Sequence, residues 1–315
     1  MVSSASMVLF EEANMAGRRR DVRGQVVLIT GAARGIGAGV ARDLAARGAL
    51  VALVGLEADE LAEVAADCGP DAGHWEADVT SWEALERAVD GVVERYGRID
   101  VVLANAGIAA TGFTRSIDPK AFERVIEVDL LGVWRTVRVT LPHLIASKGY
   151  AMLVSSAAAI AHIPGNAAYS AAKAGVEAFA NALRGEVRHL GVDVGVVHPT
   201  WIATDMVDSV EDHPVFGPVR AADRGFASRK YPLSVAVDLI SAGVRDRSRA
   251  VHVPGWVGVL KVFRALIPRV IELAARRYVP AADRDAIRDI EARGAEESSM
   301  VGPGARAAAR SADAR

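Results

Sequence analysis

The stretch Val26-Val27-Leu28-Ile29-Thr30-Gly31-Ala32-Ala33-Arg34-Gly35-Ile36-Gly37 decides the fold of this chain. Its first five residues are apolar or β-branched and predict a buried strand, and the sequence after the last glycine predicts a helix. Glycines at such a junction allow a tight turn and let the backbone approach a pyrophosphate at the helix N-terminus. Glycines also mark ordinary turns, but the strand before and the helix after them favour a dinucleotide site with the spacing G-x-x-x-G-x-G.

Apolar strands alternate with helical patterns from this stretch to about residue 253. Strands that are apolar throughout predict a parallel sheet covered on both faces. The fold class expected is therefore α/β, with a single Rossmann-like doubly wound parallel sheet, three layers (α/β/α) and a C-terminal helical extension. The predicted strands are Val26–Thr30, Leu50–Val54, one ending near Ala77, Val101–Ala104, Ala151–Ser155, Val192–Val197 and Ala250–Val253.

The chain divides into four predicted segments. Residues 1–22 are expected to be a flexible lead-in, and residues 23–255 the Rossmann-like catalytic domain. Within that domain, residues 205–231 mix Pro, Gly, Asp and Arg, which predicts a mobile substrate loop. Residues 256–293 predict a helical extension, and residues 294–315, rich in Ala, Ser and Arg, predict a disordered tail.

Composition narrows the function classes. The 315 residues are 51% hydrophobic and 24% charged, which is typical of a soluble protein with a sizeable core. A net charge of −2 gives no footprint for nucleic acid. The single cysteine, Cys68, excludes an internal disulfide framework, and no His/Cys cluster has metal-ligand spacing. No signal peptide and no membrane-length apolar span are found, so a cytoplasmic location is expected.

Tyr169 and Lys173 are a candidate proton-transfer pair. They are four residues apart in an Ala-rich helical pattern, so both project from one face. A free tyrosine has a pKa near 10, and an ammonium about 4 Å away favours the phenolate by roughly 4 kcal/mol at an effective dielectric constant of ~20. Taken alone, this spacing is common on exposed helices.

Several motifs in order resemble the short-chain dehydrogenase/reductase family. The Thr30–Gly37 loop looks like the glycine loop of that family, and Asn105-Ala106-Gly107 resembles its Asn-Asn-Ala-Gly element. Ser156 lies thirteen residues before Tyr169, which is the family spacing. Pro199 and Thr204 resemble the Pro-Gly…Thr element, although Thr200 replaces its glycine. The resemblance covers about Gly24 to Pro254, with an atypical C-terminal extension.

The resemblance implies an NAD(P)-dependent oxidoreductase that interconverts a secondary alcohol and a ketone or aldehyde. Tyr169 would be the acid/base, Lys173 would lower its pKa and hold the nicotinamide ribose, and Ser156 would orient the reacting oxygen. The fourth family position, usually Asn in a proton relay, is Asp129. An ionised Asp side chain only accepts hydrogen bonds. Asp129 therefore either takes part in the proton relay through its backbone carbonyl or blunts the effect of Lys173 on the pKa of Tyr169.

The cofactor is expected to be NAD or NADP. Position 55, where an acid would select NAD, is Gly55, and the following position, often basic in NADP binders, is Leu56. Arg34 favours a 2′-phosphate and Glu57 opposes it if it turns inward, so the choice stays open. The resemblance assigns cofactor binding to Gly31, Arg34, Gly35, Ile36, Gly37, Asp78, Val79, Asn105, Ala106, Gly107, Tyr169, Lys173, Pro199, Ile202 and Thr204.

The predicted substrate is a small apolar alcohol or ketone, because the residues expected near the pocket are apolar and offer no pair of basic side chains. These residues are Ala157, Ala158, Ala159, Ile160, Ile163, Trp201, Met206, Val207 and Phe216. A homodimer or tetramer is expected, with dimer contacts through residues 119–147 and 166–190. The basic amphipathic stretch Trp256–Val279 is expected to cover the pocket or contact a partner subunit, with a membrane surface as the less favoured alternative.

Two other functions remain open. The same site supports double-bond reduction or epimerisation. A cofactor-binding sensor or scaffold without turnover is the other alternative, and Asp129 and Thr200 are the departures that favour it. The intact set of Ser156, Tyr169 and Lys173 counts against it, since nothing structural requires that set.

Overall fold

The computed structural model describes residues 21–222 and 225–313, so residues 1–20 of the predicted lead-in lie outside the described residues. Seven strands form one parallel sheet in the order β3-β2-β1-β4-β6-β7-β8, and β5 and β9 pair separately. The strands are β1 (Val26–Thr30), β2 (Leu50–Gly55), β3 (Gly73–Glu76), β4 (Val101–Ala104), β5 (Ala109–Ala110), β6 (Tyr150–Val154), β7 (Asp193–Pro199), β8 (Ala250–Val253) and β9 (Met300–Val301).

Helices cover both faces of this sheet, which confirms the predicted three-layer α/β fold. The strands and helices predicted up to residue 253 are present, with bounds that differ by a few residues. The helices are α1 (Gly35–Ala46), α2 (Ala58–Cys68), α3 (Trp82–Tyr96), α4 (Pro119–Ile126), α5 (Val133–Ser147), α6 (Ala167–Val187), α7 (Asp205–Glu211), α8 (Phe216–Ala222), α9 (Leu233–Asp246), α10 (Val257–Val262), α11 (Ile267–Arg293), α12 (Ala295–Ser299) and α13 (Gly302–Asp313).

Strand β1 explains why the sheet is buried on both faces. All five of its residues are buried, and alternate side chains point to opposite faces. Val27 and Ile29 belong to the core that includes α1 and α9, whereas Val26 and Leu28 belong to the core that includes α3, α5 and α6. A strand apolar at every position is therefore stable only between two helical layers.

The predicted continuous helix over residues 119–147 is interrupted. The backbone forms a π-helical turn at Glu127–Gly132, between α4 and α5. Such turns insert an extra residue into a helix and are frequent at functional sites. Hydrophobic periodicity does not reveal them, because the apolar pattern continues on both sides.

The prediction of a disordered tail from residue 294 is wrong for residues 295–313. Strand β9 pairs antiparallel with β5, and α13 buries Ala305 and Ala308 against the body of the protein. Small side chains let this helix pack closely, whereas Ala-rich composition alone resembles a disordered segment. The segment 205–231 contains α7 and α8, and its mobility stays a prediction. Within the described ranges, no helix is long and apolar enough to cross a membrane.

Candidate active site

A cavity of about 230 Å³ lies beyond the carboxyl ends of the central strands. It is lined by residues that follow β1, β2, β3, β4, β6 and β7. The order of strands along the chain reverses between β1 and β4, and α/β sheets bind ligands at such a switch point.

The glycine loop forms one wall of this cavity. Gly31 and Gly35 have φ angles of 64° and 55°, in the left-handed region that favours glycine. A Cβ atom on Gly31 would lie 2.7 Å from the Cα of Ala106, and one on Gly37 would lie 2.3 Å from the Gly31 carbonyl oxygen. The first residues of α1, Gly35 and Ile36, line the cavity, and no side chain caps this helix N-terminus. The loop therefore fits a pyrophosphate.

Asn105 braces the glycine loop. Its Nδ2 donates to the carbonyl oxygens of Thr30 and Gly31, each at 3.0 Å. The Thr30 hydroxyl in turn accepts from the backbone N–H groups of Asn105 and Ala106. The Asn105-Ala106-Gly107 element thus holds the loop in shape in addition to lining the cavity.

Lys173 and Asp129 form a buried pair beside the cavity, next to the partly buried Tyr169. The Lys173 ammonium lies 3.0 Å from Asp129 Oδ2 and donates to the Val154 carbonyl oxygen at 3.1 Å. Its Nζ lies 5.4 Å from the centroid of the Tyr169 ring, within cation–π range. Asp129 is fully buried and Lys173 is 2% exposed, so water screens this pair little.

The π-helical turn and Gly107 make the ion pair possible. Asp129 lies within that turn, and its Oδ1 accepts from the backbone N–H of Ile108 at 2.8 Å. A Cβ atom on residue 107 would lie 2.9 Å from Asp129 Oδ2 and 3.2 Å from Lys173 Nζ. Glycine at that position therefore leaves room for the carboxylate and the ammonium to meet.

The pKa of Tyr169 is raised above its ordinary value, not lowered as the sequence predicts. Burial raises this pKa, Lys173 opposes the rise, and the Asp129 carboxylate adds to it. Burial lowers the pKa of Lys173, but Asp129 and Tyr169 together outweigh burial and the net direction is upward. Burial raises the pKa of Asp129 against the pull of Lys173. Asp129 thus blunts the effect of Lys173 on the phenol, which was one of the two outcomes expected for it.

The two serines after β6 have different environments. The Ser155 hydroxyl donates to the Lys173 carbonyl oxygen at 2.8 Å and is buried. The Ser156 hydroxyl is partly exposed, donates to the Pro199 carbonyl oxygen at 3.3 Å, and lowers the pKa of Tyr169 by hydrogen bonding. Ser156, not Ser155, is therefore the serine beside the tyrosine, as its spacing predicts.

Acidic side chains surround Arg34 at the other end of the cavity. Its Nη2 donates to Glu57 Oε1 at 3.0 Å and to Glu60 Oε1 at 3.1 Å, and Asp205 Oδ2 lies 3.8 Å from its Nη1. Glu57 lines the cavity together with Leu56. The Glu57 carboxylate is thus held on Arg34 at the cavity wall, whereas the sequence left its orientation open.

The C-terminal segment closes the cavity on a side that sequence reasoning missed. Lining residues include Val301, Gly302, Pro303, Gly304, Ala305 and Ala308. The Ser311 hydroxyl donates to Asp78 Oδ2 at 2.5 Å, and Arg124 Nη1 donates to the Ala308 carbonyl oxygen at 2.8 Å. Gly-Pro-Gly followed by alanines three apart was the available signal, since proline at a helix start and a small-residue face indicate a packed helix.

Most of the predicted site residues line this cavity. All four predicted catalytic residues do, and so do the predicted cofactor residues except Gly37, which instead packs within the loop. Among the described residues expected near the substrate, Met206 and Val207 line it, whereas the other seven do not. Trp201 packs under the Arg220 guanidinium at 3.8 Å, and Phe216 packs on Phe113 with ring centroids 5.6 Å apart. The expected apolar wall is thus made partly by the C-terminal segment instead.

Known proteins with similar sequences share this architecture. A sequence model described as short chain dehydrogenase matches residues 25–214. A (−)-trans-carveol dehydrogenase of Rhodococcus erythropolis is 39% identical over 215 residues, covering 62% of this chain and 78% of that protein. An uncharacterized NAD-dependent oxidoreductase of Mycobacterium tuberculosis is 31% identical, covering 73% and 94%. The crystal structure of levodione reductase superposes with a TM-score of 0.68 at 26% identity, covering 73% and 96%.

Proposed function

This chain belongs to the short-chain dehydrogenase family and is an oxidoreductase that uses NAD or NADP, and on that basis we propose that it interconverts an apolar cyclic secondary alcohol and its ketone with NAD. The observation that carries the proposal is the cluster of Ser156, Tyr169 and Lys173 at the cavity wall. These three side chains come from two elements, the end of β6 and helix α6, and nothing in the packing of the sheet requires this set.

The cofactor would lie along the cavity from Arg34 to Lys173. The glycine loop and the N-terminus of α1 would hold its pyrophosphate, and Asp78 and Val79 would contact its adenine. The Lys173 ammonium would bind the ribose next to the nicotinamide. When bound, the oxidised nicotinamide accepts the hydride and carries a positive charge.

Tyr169 would move the proton. In alcohol oxidation its phenolate accepts the hydroxyl proton, and in ketone reduction its hydroxyl donates one to the carbonyl oxygen. Ser156 would donate a hydrogen bond to the same oxygen and fix its position. Lys173 would stabilise the phenolate, while the Asp129 carboxylate, 3.0 Å from the ammonium, would oppose it.

Asp129→Asn should move the pH profile of alcohol oxidation toward lower pH. The Asp129 carboxylate raises the pKa of Tyr169, so its removal lowers that pKa and the phenolate forms at lower pH. Asn keeps an oxygen that can accept from the Ile108 N–H. The measurement is kcat/KM against pH with saturating NAD, and an unmoved rising limb, or one displaced to higher pH, would contradict this assignment.

NAD is proposed over NADP because Arg34 is not free to bind a phosphate. Two carboxylates accept its hydrogen bonds and a third lies nearby, so the region around it carries more negative than positive charge. Glu57 also lines the cavity, where it would repel a 2′-phosphate. The Mycobacterium tuberculosis relative, described as NAD-dependent, agrees with this choice.

Glu57→Gln should narrow the preference for NAD. We expect wild-type protein to bind NAD at least about tenfold more tightly than NADP, and the variant to reduce that ratio by about tenfold, because it loses a charge facing the phosphate. Titration calorimetry with each nucleotide measures both affinities without turnover. Glu60→Gln is the matched control, since Glu60 also binds Arg34 but does not line the cavity. Tighter binding of NADP by wild-type protein would contradict the proposal.

Ala308→Arg should speed nucleotide exchange. Ala308 is 3% exposed and packs in the cluster that includes Val79, Leu85 and Val128, so a long charged side chain cannot fit there. When α13 is undocked, a dinucleotide can enter and leave the cavity without displacing this helix. The rate constants of nucleotide association and dissociation should then both rise by about tenfold or more. Stopped-flow nucleotide fluorescence measures these rates. Arg310→Ala, an exposed change on the same helix, is the control, and equal rates in all three proteins would refute a covering role.

The apolar substrate class follows from the cavity lining. Among its described residues the basic ones are Arg34 and Lys173, and both contact acids. A substrate that carries a phosphate or carboxylate group would therefore find no free basic side chain in this lining. Carveol and levodione, which name two similar proteins, are cyclic compounds with alcohol or ketone groups.

Turnover with a panel of cyclic secondary alcohols tests the proposed reaction. Wild-type protein with NAD should produce reduced nicotinamide, seen by its absorbance, with at least one apolar member of the panel. The buried Asp129–Lys173 ion pair favours one alternative function, a cofactor-binding sensor without turnover in which the carboxylate neutralises the ammonium. NAD binding without turnover across the panel would favour that sensor.

A homodimer through α5 and α6 is proposed as the minimal assembly, in line with the family. Trp134 on α5 is 40% exposed and stacks edge-on with Trp82 at 5.1 Å. An exposed aromatic of this kind is typical of subunit contacts.

A further inference from the structure

An apolar surface runs along α10 and the first turns of α11, and we call it the extension face. Its members are large apolar side chains that are more than half exposed: Val259, Val262, Phe263, Leu266, Val270 and Leu273. Val259 and Val262 are three residues apart in α10, and Val270 and Leu273 are three apart in α11, so each pair lies on one side of its helix. Phe263 and Leu266 lie in the turn between the two helices. Monomeric soluble proteins rarely expose contiguous apolar patches of this kind without a binding role.

The extension face does not cover the active site. No described residue between 256 and 279 lines the cavity, and the C-terminal segment occupies that position instead. The sequence predicted that this stretch covers the pocket or contacts a partner subunit, and among the described residues the covering position is taken by α13. The apolar side chains of the extension face are therefore not used by the proposed reaction.

Ionic contacts fix α10 to the catalytic domain. Val257 at the start of this helix is fully buried. The Lys261 ammonium lies 2.8 Å from Oε1 of Glu177, a buried residue of α6, and Arg264 donates to the same oxygen at 3.3 Å. These contacts hold α10 and the turn after it against the catalytic domain.

The charge of this segment is opposite in sign to that of the whole protein. Between residues 256 and 279 five side chains are basic and one, Glu272, is acidic, whereas the whole chain carries −2. Beyond the two that contact Glu177, the remaining basic residues, Arg269, Arg276 and Arg277, are exposed beside the apolar side chains of α11. The face therefore combines exposed apolar area with positive charge.

We propose that the extension face binds the surface of an anionic lipid bilayer. Apolar side chains enter the boundary between headgroups and acyl chains, and basic side chains meet the negative headgroups. A second copy of the chain is the less suitable occupant. A two-fold contact puts the same patch on both sides, so basic residues would face basic residues.

Flotation with lipid vesicles tests this proposal on the full-length protein. We expect at least about tenfold more protein bound to vesicles of equal parts phosphatidylglycerol and phosphatidylcholine than to phosphatidylcholine alone, with binding reduced by added salt. The double variant Val270→Ser/Leu273→Ser should lose about tenfold of this binding, because it removes apolar groups from the face. Arg269→Gln/Arg277→Gln should lose the preference for the anionic vesicles.

The controls separate lipid binding from folding and from self-association. Leu239→Ser changes a partly exposed leucine on α9, and we expect it to bind vesicles like wild-type protein. Nucleotide affinity should be unchanged in every variant, which shows that the fold is intact. Absence of wild-type binding to anionic vesicles at low salt would overturn the proposal. So would serine variants that bind as well as wild-type, or that change only the molar mass measured by light scattering.

Discussion

Tyr169→Phe should lower kcat/KM for alcohol oxidation by about 10²–10⁴-fold while NAD still binds. The substitution removes the hydroxyl that exchanges the proton and leaves the ring in place, and general acid–base catalysis is worth about this much. The ring should keep its place because it packs against the buried apolar cluster that includes Ile108 and Val128. Initial rates of reduced-nicotinamide formation give the loss, and calorimetry gives the NAD affinity.

Tyr96→Phe is the matched control for this substitution. Its hydroxyl donates to the Asp71 carbonyl oxygen at 2.7 Å, and neither residue lines the cavity, so its loss should leave the rate unchanged. If Tyr169→Phe retained most of the wild-type rate, another group would have to move the proton. Weak NAD binding in that variant would instead indicate a damaged cofactor site.

Asp129→Ala should destabilise the folded protein by about 3–5 kcal/mol. Removing one partner of a buried ion pair leaves the other charge uncompensated, and this cost is larger than the value of the pair itself. Lys173 is 2% exposed and has the Val154 carbonyl oxygen as its other hydrogen-bond partner, so the substitution leaves its charge without an ionic partner. The Ile108 N–H also loses its acceptor. Urea unfolding without nucleotide measures the change in the free energy of unfolding.

The double variant Asp129→Ala/Lys173→Met distinguishes a stranded charge from a simple cavity. With both charges gone, a large part of the lost stability should return, because the desolvated ammonium is no longer present. A double variant less stable than Asp129→Ala would mean that the ion pair is not the source of the effect. The free energy of unfolding of Asp129→Asn should lie between those of wild-type protein and Asp129→Ala, since asparagine keeps the side-chain shape and one hydrogen-bond acceptor.

The parts of the site that the sequence predicts are those fixed by local geometry. Glycines at a strand–helix junction, and a tyrosine one helical turn from a lysine, can be recognised from the residues next to them in the sequence. The ion pair between Asp129 and Lys173 depends on a π-helical turn and on Gly107, which belong to different parts of the chain. The direction of the Tyr169 pKa shift depends on that long-range packing, which is why the expected lowering is not found in this structure.

The C-terminal segment was unpredictable for a related reason. Strand β9 has two residues and its partner β5 has two, which is too short for any periodic pattern. Alanine supplies little hydrophobic signal, yet Ala305 and Ala308 are buried because α13 fits closely over the cavity. Several apolar residues predicted around the substrate do not line the cavity for a similar reason, since closeness in sequence to Ser156 or Pro199 did not bring Ala157 or Trp201 to it.

A spectrophotometric pH titration of tyrosinate in the NAD-bound protein tests the central claim most directly. The chain has five tyrosines, and Tyr169→Phe identifies the one that matters by subtraction. We expect the difference between wild-type protein and this variant to be a single ionisation whose pKa coincides with that of kcat/KM for alcohol oxidation. It should move to lower pH in Asp129→Asn. A tyrosine at position 169 that ionises well outside the pH range of the rate profile would contradict the account.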